Sequence, residues 1–223
     1  LCHYFSTRGL VAATVTYQLA SKASAKTAKG TKSRKRVCIT DAKSAIRWYK
    51  QNAKKLGIDP RKIVAGGGSA GGHISLLATT NPGLNDPRDT KKYDTTVAAY
   101  LLFNPALSIA DVKDSEVDFL QHLKDDLPPA IVFFGSKDRW LKNGWKAASA
   151  KISSLKITDS VDVRIAEGQD HGFFNRTPWA DVTLIEADKF LRTLGYLKGD
   201  PTLKMPETGE KLERREGEKA PLK

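Results

Sequence analysis

The run Gly66-Gly-Gly-Ser-Ala-Gly-Gly72 constrains this chain more than any other, because it sets a serine among small residues between a strand-like and a helix-like segment. Ahead of it, Lys62-Ile-Val-Ala-Gly66 is short, apolar and β-branched, as a buried strand should be. Behind it, His73 to Thr79 reads as a helix. Within the turn, Gly67-Gly68-Ser69-Ala70-Gly71 fits the pattern G-x-S-x-G at the strand-to-helix junction that gives the pattern its meaning. Such a turn holds a serine side chain clear of the backbone. It needs small neighbours, and it aims the positive end of the following helix at the place where negative charge would develop. The same run contains a G-x-G-x-x-G match at Gly66, Gly68 and Gly71, the mark of a phosphate-binding turn. That reading is disfavoured. A dinucleotide fold puts the turn after its first strand and an acidic residue about twenty positions on, at the end of the next strand, where Thr90 and its neighbours read as loop.

The rest of the chain alternates strand-like and helix-like segments. After a helical lead-in at Leu1 to Arg8, Gly9 to Tyr17 is apolar and β-branched and is expected to be a buried parallel strand. A helix is signalled from Thr40, a candidate N-cap, with apolar positions at three- and four-residue steps until Gly57 stops it. Val97 to Phe103, closed by Asn104-Pro105, and Ala130 to Phe134, closed by Gly135, read as further strands. A helix from Asn143 to Leu155, a strand from Val161 to Ala166 and a last helix from Trp179 to Leu194 complete the series. This alternation predicts an α/β fold, a mostly parallel sheet with helices on both faces, since each parallel crossover needs a helix to return the chain. Residues 1–197 are expected to form this domain. Lys198 to Lys223 mixes charges and prolines with few apolar residues, so a polar, flexible or surface-lying C-terminal extension is expected there.

The net charge of +12 would ordinarily suggest nucleic acid. The excess is local, however. Between Ser21 and Arg36 stand Lys22, Lys26, Lys29, Lys32, Arg34, Lys35 and Arg36 with no acidic residue, in a segment read as one solvated basic loop. It has no aromatic side chain on which a base could stack, so no nucleic-acid partner is expected. A sharper reading, attraction to an anionic surface, stays open. No apolar run approaches the roughly 18 residues of a membrane-spanning helix. The chain starts with Leu and shows no basic segment leading into an apolar one, so any secretion signal is read as removed or never present, and location is left open. Cys2 and Cys38 lack metal-ligand spacing and are read as buried thiols or one bridge; no metal or other cofactor is expected.

A serine is a weak nucleophile without a base and an orienting acid. Asp138 follows the strand Ala130 to Phe134 through Gly135-Ser-Lys, and His171 follows the strand Val161 to Ala166 through Glu167-Gly-Gln-Asp. In a parallel sheet those loops share one edge. His3 and His122 fall in helices and His73 follows the elbow directly, which leaves His171 as the histidine in a strand-end loop. For the acid, Asp138 is preferred over Asp170 and Glu167, because adjacent side chains seldom reach the geometry needed to bond a ring nitrogen. Ser69, His171 and Asp138 are thus the candidate nucleophile, base and acid, with the Ala70 N–H as oxyanion donor and Gly67, Gly68 and Gly71 forming the elbow.

With these residues in hand, the sequence resembles the α/β-hydrolase esterases, in particular the branch of carboxylesterases, acetyl esterases and acetylxylan or feruloyl esterase-like proteins. The likeness rests on Tyr17-Gln-Leu19, Asp41-Ala-Lys-Ser-Ala-Ile-Arg-Trp48, Gly57-Ile-Asp-Pro-Arg-Lys-Ile63, Gly67-Gly-Ser-Ala-Gly-Gly-His73, Gly135-Ser-Lys-Asp138 and His171-Gly-Phe173, and spans about Gly9 to Leu194. The order Ser69, Asp138, His171 is the order of that superfamily. It implies hydrolysis of small-molecule or carbohydrate carboxylic esters, short acyl groups such as acetyl among them, through an acyl-enzyme. The family's first three strands and its His-Gly-Gly-Gly-type oxyanion loop have no counterpart from Leu1 onward, so this chain is expected to be an N-terminally truncated piece, or to fill the gap with another segment, and to show weak or no turnover. By resemblance one missing strand belongs between Leu10 to Tyr17 and Ile63 to Ala65. The rival readings are a peptidase of the same fold and a non-catalytic hydrolase-fold protein that binds a polyanion. Oligomeric state is not legible.

Overall fold

The computed structural model describes residues 1–18 and 31–215. Four parallel strands, β1 (Val64–Gly68), β2 (Ala99–Phe103), β3 (Ala130–Gly135) and β4 (Val161–Ala166), lie side by side in chain order. The helices are α1 (Cys2–Thr7), α2 (Thr31–Gln51), α3 (Ala53–Leu56), α4 (Ala70–Thr80), α5 (Phe119–His122), α6 (Lys146–Ser154) and α7 (Trp179–Thr193). The expected α/β class is observed.

β2 and β3 read as continuous apolar runs because both their faces are covered. Tyr100, Leu102, Ala130, Val132 and Phe134 pack on one side against Ile39 of α2, Leu76 and Leu77 of α4, and Ala148 and Ile152 of α6. Leu101, Phe103, Ile131 and Phe133 alternate to the other side, against Tyr4 and Phe5 of α1 and Ala187, Phe190 and Leu191 of α7. The fully buried Asp188 carboxylate joins those two helices. It accepts from Arg8 Nε at 2.6 Å and from the Tyr4 hydroxyl at 2.7 Å.

Two expectations are corrected and a third is made more specific. Gly9 to Tyr17 is not a strand. Residues 10–18 carry no ladder, and most are exposed. The segment is held at its ends, where Leu10 N–H donates to Phe5 O at 3.1 Å and Gln18 N–H donates to Asp41 at 2.7 Å. Between it and the free edge of β1 runs a trough of about 400 Å³ lined by residues 10–13 and 64–66, so no described strand lies near enough to pair with it. An apolar, β-branched stretch becomes a strand only where a partner satisfies its backbone groups.

The helix expected from Thr40 starts at Thr31, so residues 31–36 are helical rather than part of a basic loop; residues 19–30 lie outside the described residues. Within this added stretch, Lys35 and Arg36 pair with Asp111 and Asp114 across the fold. Finally, three residues of the stretch expected to be a flexible or surface-lying extension add to the sheet, while residues 216–223 lie outside the described residues. Leu212–Arg214 forms β5, antiparallel to β4, with Arg214 reaching Asp162 at 3.2 Å. Cys2 and Cys38 are both free thiols.

Candidate active site

All loops that follow β1, β3 and β4 open on the C-terminal edge of the sheet, which brings distant side chains to one rim. Ser69 sits between β1 and α4 with φ 52° and ψ −116°, a backbone conformation that costs energy for any residue with a Cβ. Backbone bonds hold it there. Its N–H donates to Phe103 O at 2.8 Å, and its carbonyl accepts from Ala106 N–H at 3.0 Å. The glycines explain how the turn is so tight. A Cβ on Gly67 would come within 2.8 Å of the Gly71 carbonyl carbon, and one on Gly68 within 2.5 Å of the Phe174 ring. Gly71 is different, since a Cβ there meets nothing within 4 Å; its contribution is to be the surface against which Gly67 packs.

His171 reaches over this turn from the loop after β4. Its Nε2 lies 2.8 Å from Ser69 Oγ, and its Nδ1 lies 2.9 Å from Asp138 Oδ2. One proton arrangement satisfies both contacts, with Nδ1–H donating to the carboxylate and Nε2 accepting the serine O–H. The ring is part-exposed, with 36% of its side-chain surface open, whereas the Asp138 side chain is fully buried. The second oxygen of Asp138 accepts the Trp140 N–H at 2.9 Å, so the carboxylate is bonded on both sides. The Ala70 N–H belongs to the first turn of α4, at its positive end.

The other carboxylates considered from sequence point elsewhere. Asp170 pairs with Arg176, and Glu167 accepts from the Ser136 hydroxyl at 2.9 Å. Ser136 in turn accepts the Gly168 N–H at 2.9 Å, which clips the loop carrying Asp138 to the loop carrying His171. A Cβ on Gly135 would fall 2.3 Å from Gln169 O, so those two loops can close on each other only over a glycine. His73 is turned away into the core, where its Nε2 bonds Val117 O at 2.9 Å and burial pushes its ring toward the neutral form. Among the described residues no group of three or more His, Cys, Asp or Glu side chains could hold a metal ion, and no helix is long and apolar enough to cross a membrane.

Sequence reasoning missed Asn104 and Ser136. Asn104 was visible only as part of the Asn-Pro pair that closes β2, and its partner, 34 residues on, has no local signature.

Three comparisons bear on this geometry. Residues 2–114 match the family model described as BD-FAE, a stretch that includes the elbow but ends before Asp138 and His171. The chain is 39% identical over 129 residues to the probable carboxylic ester hydrolase LipM of Mycobacterium tuberculosis, covering 45% of this chain and 30% of that protein. The match therefore covers less than a third of that relative's length. Among solved structures, esterase 2 of the planctomycete Thermogutta terrifontis with propionate bound is 31% identical, with a TM-score of 0.75, covering 89% of this chain and 77% of that one. The same esterase phosphorylated by paraoxon is 34% identical, with a TM-score of 0.67, over 74% of this chain and 66% of that one.

Proposed function

This chain belongs to the BD-FAE family and to the α/β-hydrolase esterases, and from that premise we propose that it is a serine hydrolase of short-acyl carboxylic esters working through an acyl-enzyme. The observation that carries the proposal is the unbroken line of contacts from Ser69 Oγ through the His171 ring to the buried Asp138 carboxylate, at 2.8 and 2.9 Å.

In this reading His171 Nε2 takes the Ser69 proton as Oγ attacks the ester carbonyl carbon. The carbonyl electrons move to oxygen, and the Ala70 N–H, backed by the end of α4, stabilises that oxyanion. Collapse re-forms the carbonyl and expels the alcohol, which leaves with the proton from Nε2. Water then enters, gives a proton to Nε2 and attacks the acyl carbon; Ser69 leaves with that proton and the acid is released. Asp138 holds the tautomer throughout and stabilises the imidazolium. That Thermogutta terrifontis esterase 2 has been seen with propionate and with butyrate bound supports a short acyl group, and its phosphorylation by paraoxon supports a nucleophile open to organophosphorus attack.

The test is labelling by a fluorophosphonate together with hydrolysis of p-nitrophenyl acetate. The expected result is one label per chain, lost in Ser69→Ala and strongly slowed in His171→Ala. Labelling that survives in Ser69→Ala, or acetate release unaffected by both substitutions, would overturn the reading.

A further inference from the structure

We propose that Asn104 is a positioning residue, whose side-chain amide fixes the Asp138 carboxylate in line with the His171 ring. The inference rests on the Ser69–His171–Asp138 reading and deepens it.

Asn104 is the first residue after β2, the strand that lies between the one leading to Ser69 and the one leading to Asp138. It is completely buried. Its N–H donates to Phe133 O at 2.7 Å, so its backbone is fastened to β3. From there Nδ2 donates to Asp138 Oδ2, the same oxygen that accepts from His171 Nδ1. With Oδ1 of Asp138 taken by the Trp140 N–H, three donors from three separate segments hold one carboxylate. Two of them converge on Oδ2, which leaves the imidazole N–H a single direction of approach.

Two features set Asn104 apart from a side chain that merely fills space. Its backbone is left-handed, with φ 48°, a conformation asparagine tolerates better than most residues. Its Oδ1 is buried with no hydrogen-bond partner among the described residues. An orphaned buried carbonyl lowers stability, and an apolar residue of similar volume would avoid that cost. The amide faces one atom, and that atom is the oxygen His171 uses.

The same short segment also holds the nucleophile. Phe103 O accepts the Ser69 N–H and Ala106 N–H donates to Ser69 O, so residues 103–106 bind the elbow by backbone and the acid by side chain. Losing the amide frees the carboxylate to rotate away from the ring while the elbow stays in place. Misplacement on that scale typically lowers turnover without weakening substrate binding.

The experiment uses Asn104→Leu, which keeps the branching and heavy-atom count of the side chain without its polar atoms, and Asn104→Gly, which suits the left-handed backbone. For each, kcat and KM on p-nitrophenyl acetate, the rate of fluorophosphonate labelling, the thermal melt and the downfield proton resonance of the His171 Nδ1–H are measured on the whole chain. We expect kcat and labelling to fall by about 10- to 100-fold with KM within about twofold, a cooperative melt, and a displaced or broadened Nδ1–H resonance. Folded variants with kcat within about twofold of the parent and an unmoved resonance would overturn the positioning role while leaving the triad intact, provided Ser69→Ala is inactive. Should neither variant melt cooperatively, Asn104 is structural and the proposal is also overturned. Activity persisting in Ser69→Ala would instead remove the reading beneath it.

Discussion

His171 Nε2 and Ser69 Oγ meet at 2.8 Å across 102 residues of chain, and no part of that contact is local. It exists because β1 and β4 run in the same direction in one sheet, with β2 and β3 between them, so that both residues emerge at the same rim. Any change that shifts one loop against the other acts on the site without touching it.

Asp138 accepts from both His171 and Asn104 through one oxygen. Asp138→Asn puts an amide where the acceptor stood and favours the wrong imidazole tautomer, so kcat is expected to drop by about 10⁴-fold while KM changes little. Steady-state kinetics on an aryl acetate checks this. A loss of less than about tenfold would argue against the orienting role.

The elbow glycines divide into two kinds. Gly67→Ala forces its Cβ against the Gly71 backbone and is expected to slow fluorophosphonate labelling by at least tenfold. Gly71→Ala has open space and lies inside α4, so it is expected to label normally and to gain up to about 1 kcal/mol of stability from helix propensity. Labelling rates and urea midpoints of the two variants, compared side by side, decide it.

The buried Asp188 pairs with Arg8 and Tyr4 to join α1 to α7. Asp188→Ala leaves a largely buried guanidinium without its partner, for which the expected cost is about 3–5 kcal/mol. Equilibrium unfolding in urea is the measurement. Labelling of Ser69 in the folded fraction should be unchanged, because neither helix contributes a residue to the candidate triad.

Lys43 on α2 is buried and donates to Asn81 O, and burial, reinforced by the nearby charge of Arg47, pushes its ammonium down to about 8 from 10.5. The folded state therefore binds this proton less tightly than the unfolded chain does. The sign follows: the folded state carries the full penalty below pH 8, and the penalty fades as pH rises from 8 toward 10.5. Relative to Lys43→Met, the parent is expected to gain stability over that window, approaching about 3 kcal/mol. A difference in unfolding free energy that stays flat from pH 7.5 to 10.5 would refute it.

Much of the architecture was legible because it is written in local pattern. The strand Val161–Ala166 has its expected limits, and Ala130–Gly135 and Trp179–Thr193 differ from the expected limits by one residue. Their apolar spacing settles both the element and its buried face. Gly9 to Tyr17 carries a pattern just as strong and forms no strand, since a strand is a relation between two segments and the pattern describes one. Leu212–Arg214 shows the converse, a polar stretch drawn into the sheet by the open edge of β4 and by Arg214 against Asp162.

By itself, the sequence determined the turn at Ser69, because only a glycine-rich run lets a backbone double back that tightly between strand and helix. It also determined the α/β class, because apolar periodicity reports which faces must be buried. Strand-end spacing already favoured Asp138 among three nearby carboxylates, but the tertiary structure alone decided how closely it meets His171, and that a buried asparagine just after the intervening strand bonds it. Those are distances between segments far apart along the chain, set by strand order and by loops closing over Gly135, and no local residue pattern encodes them.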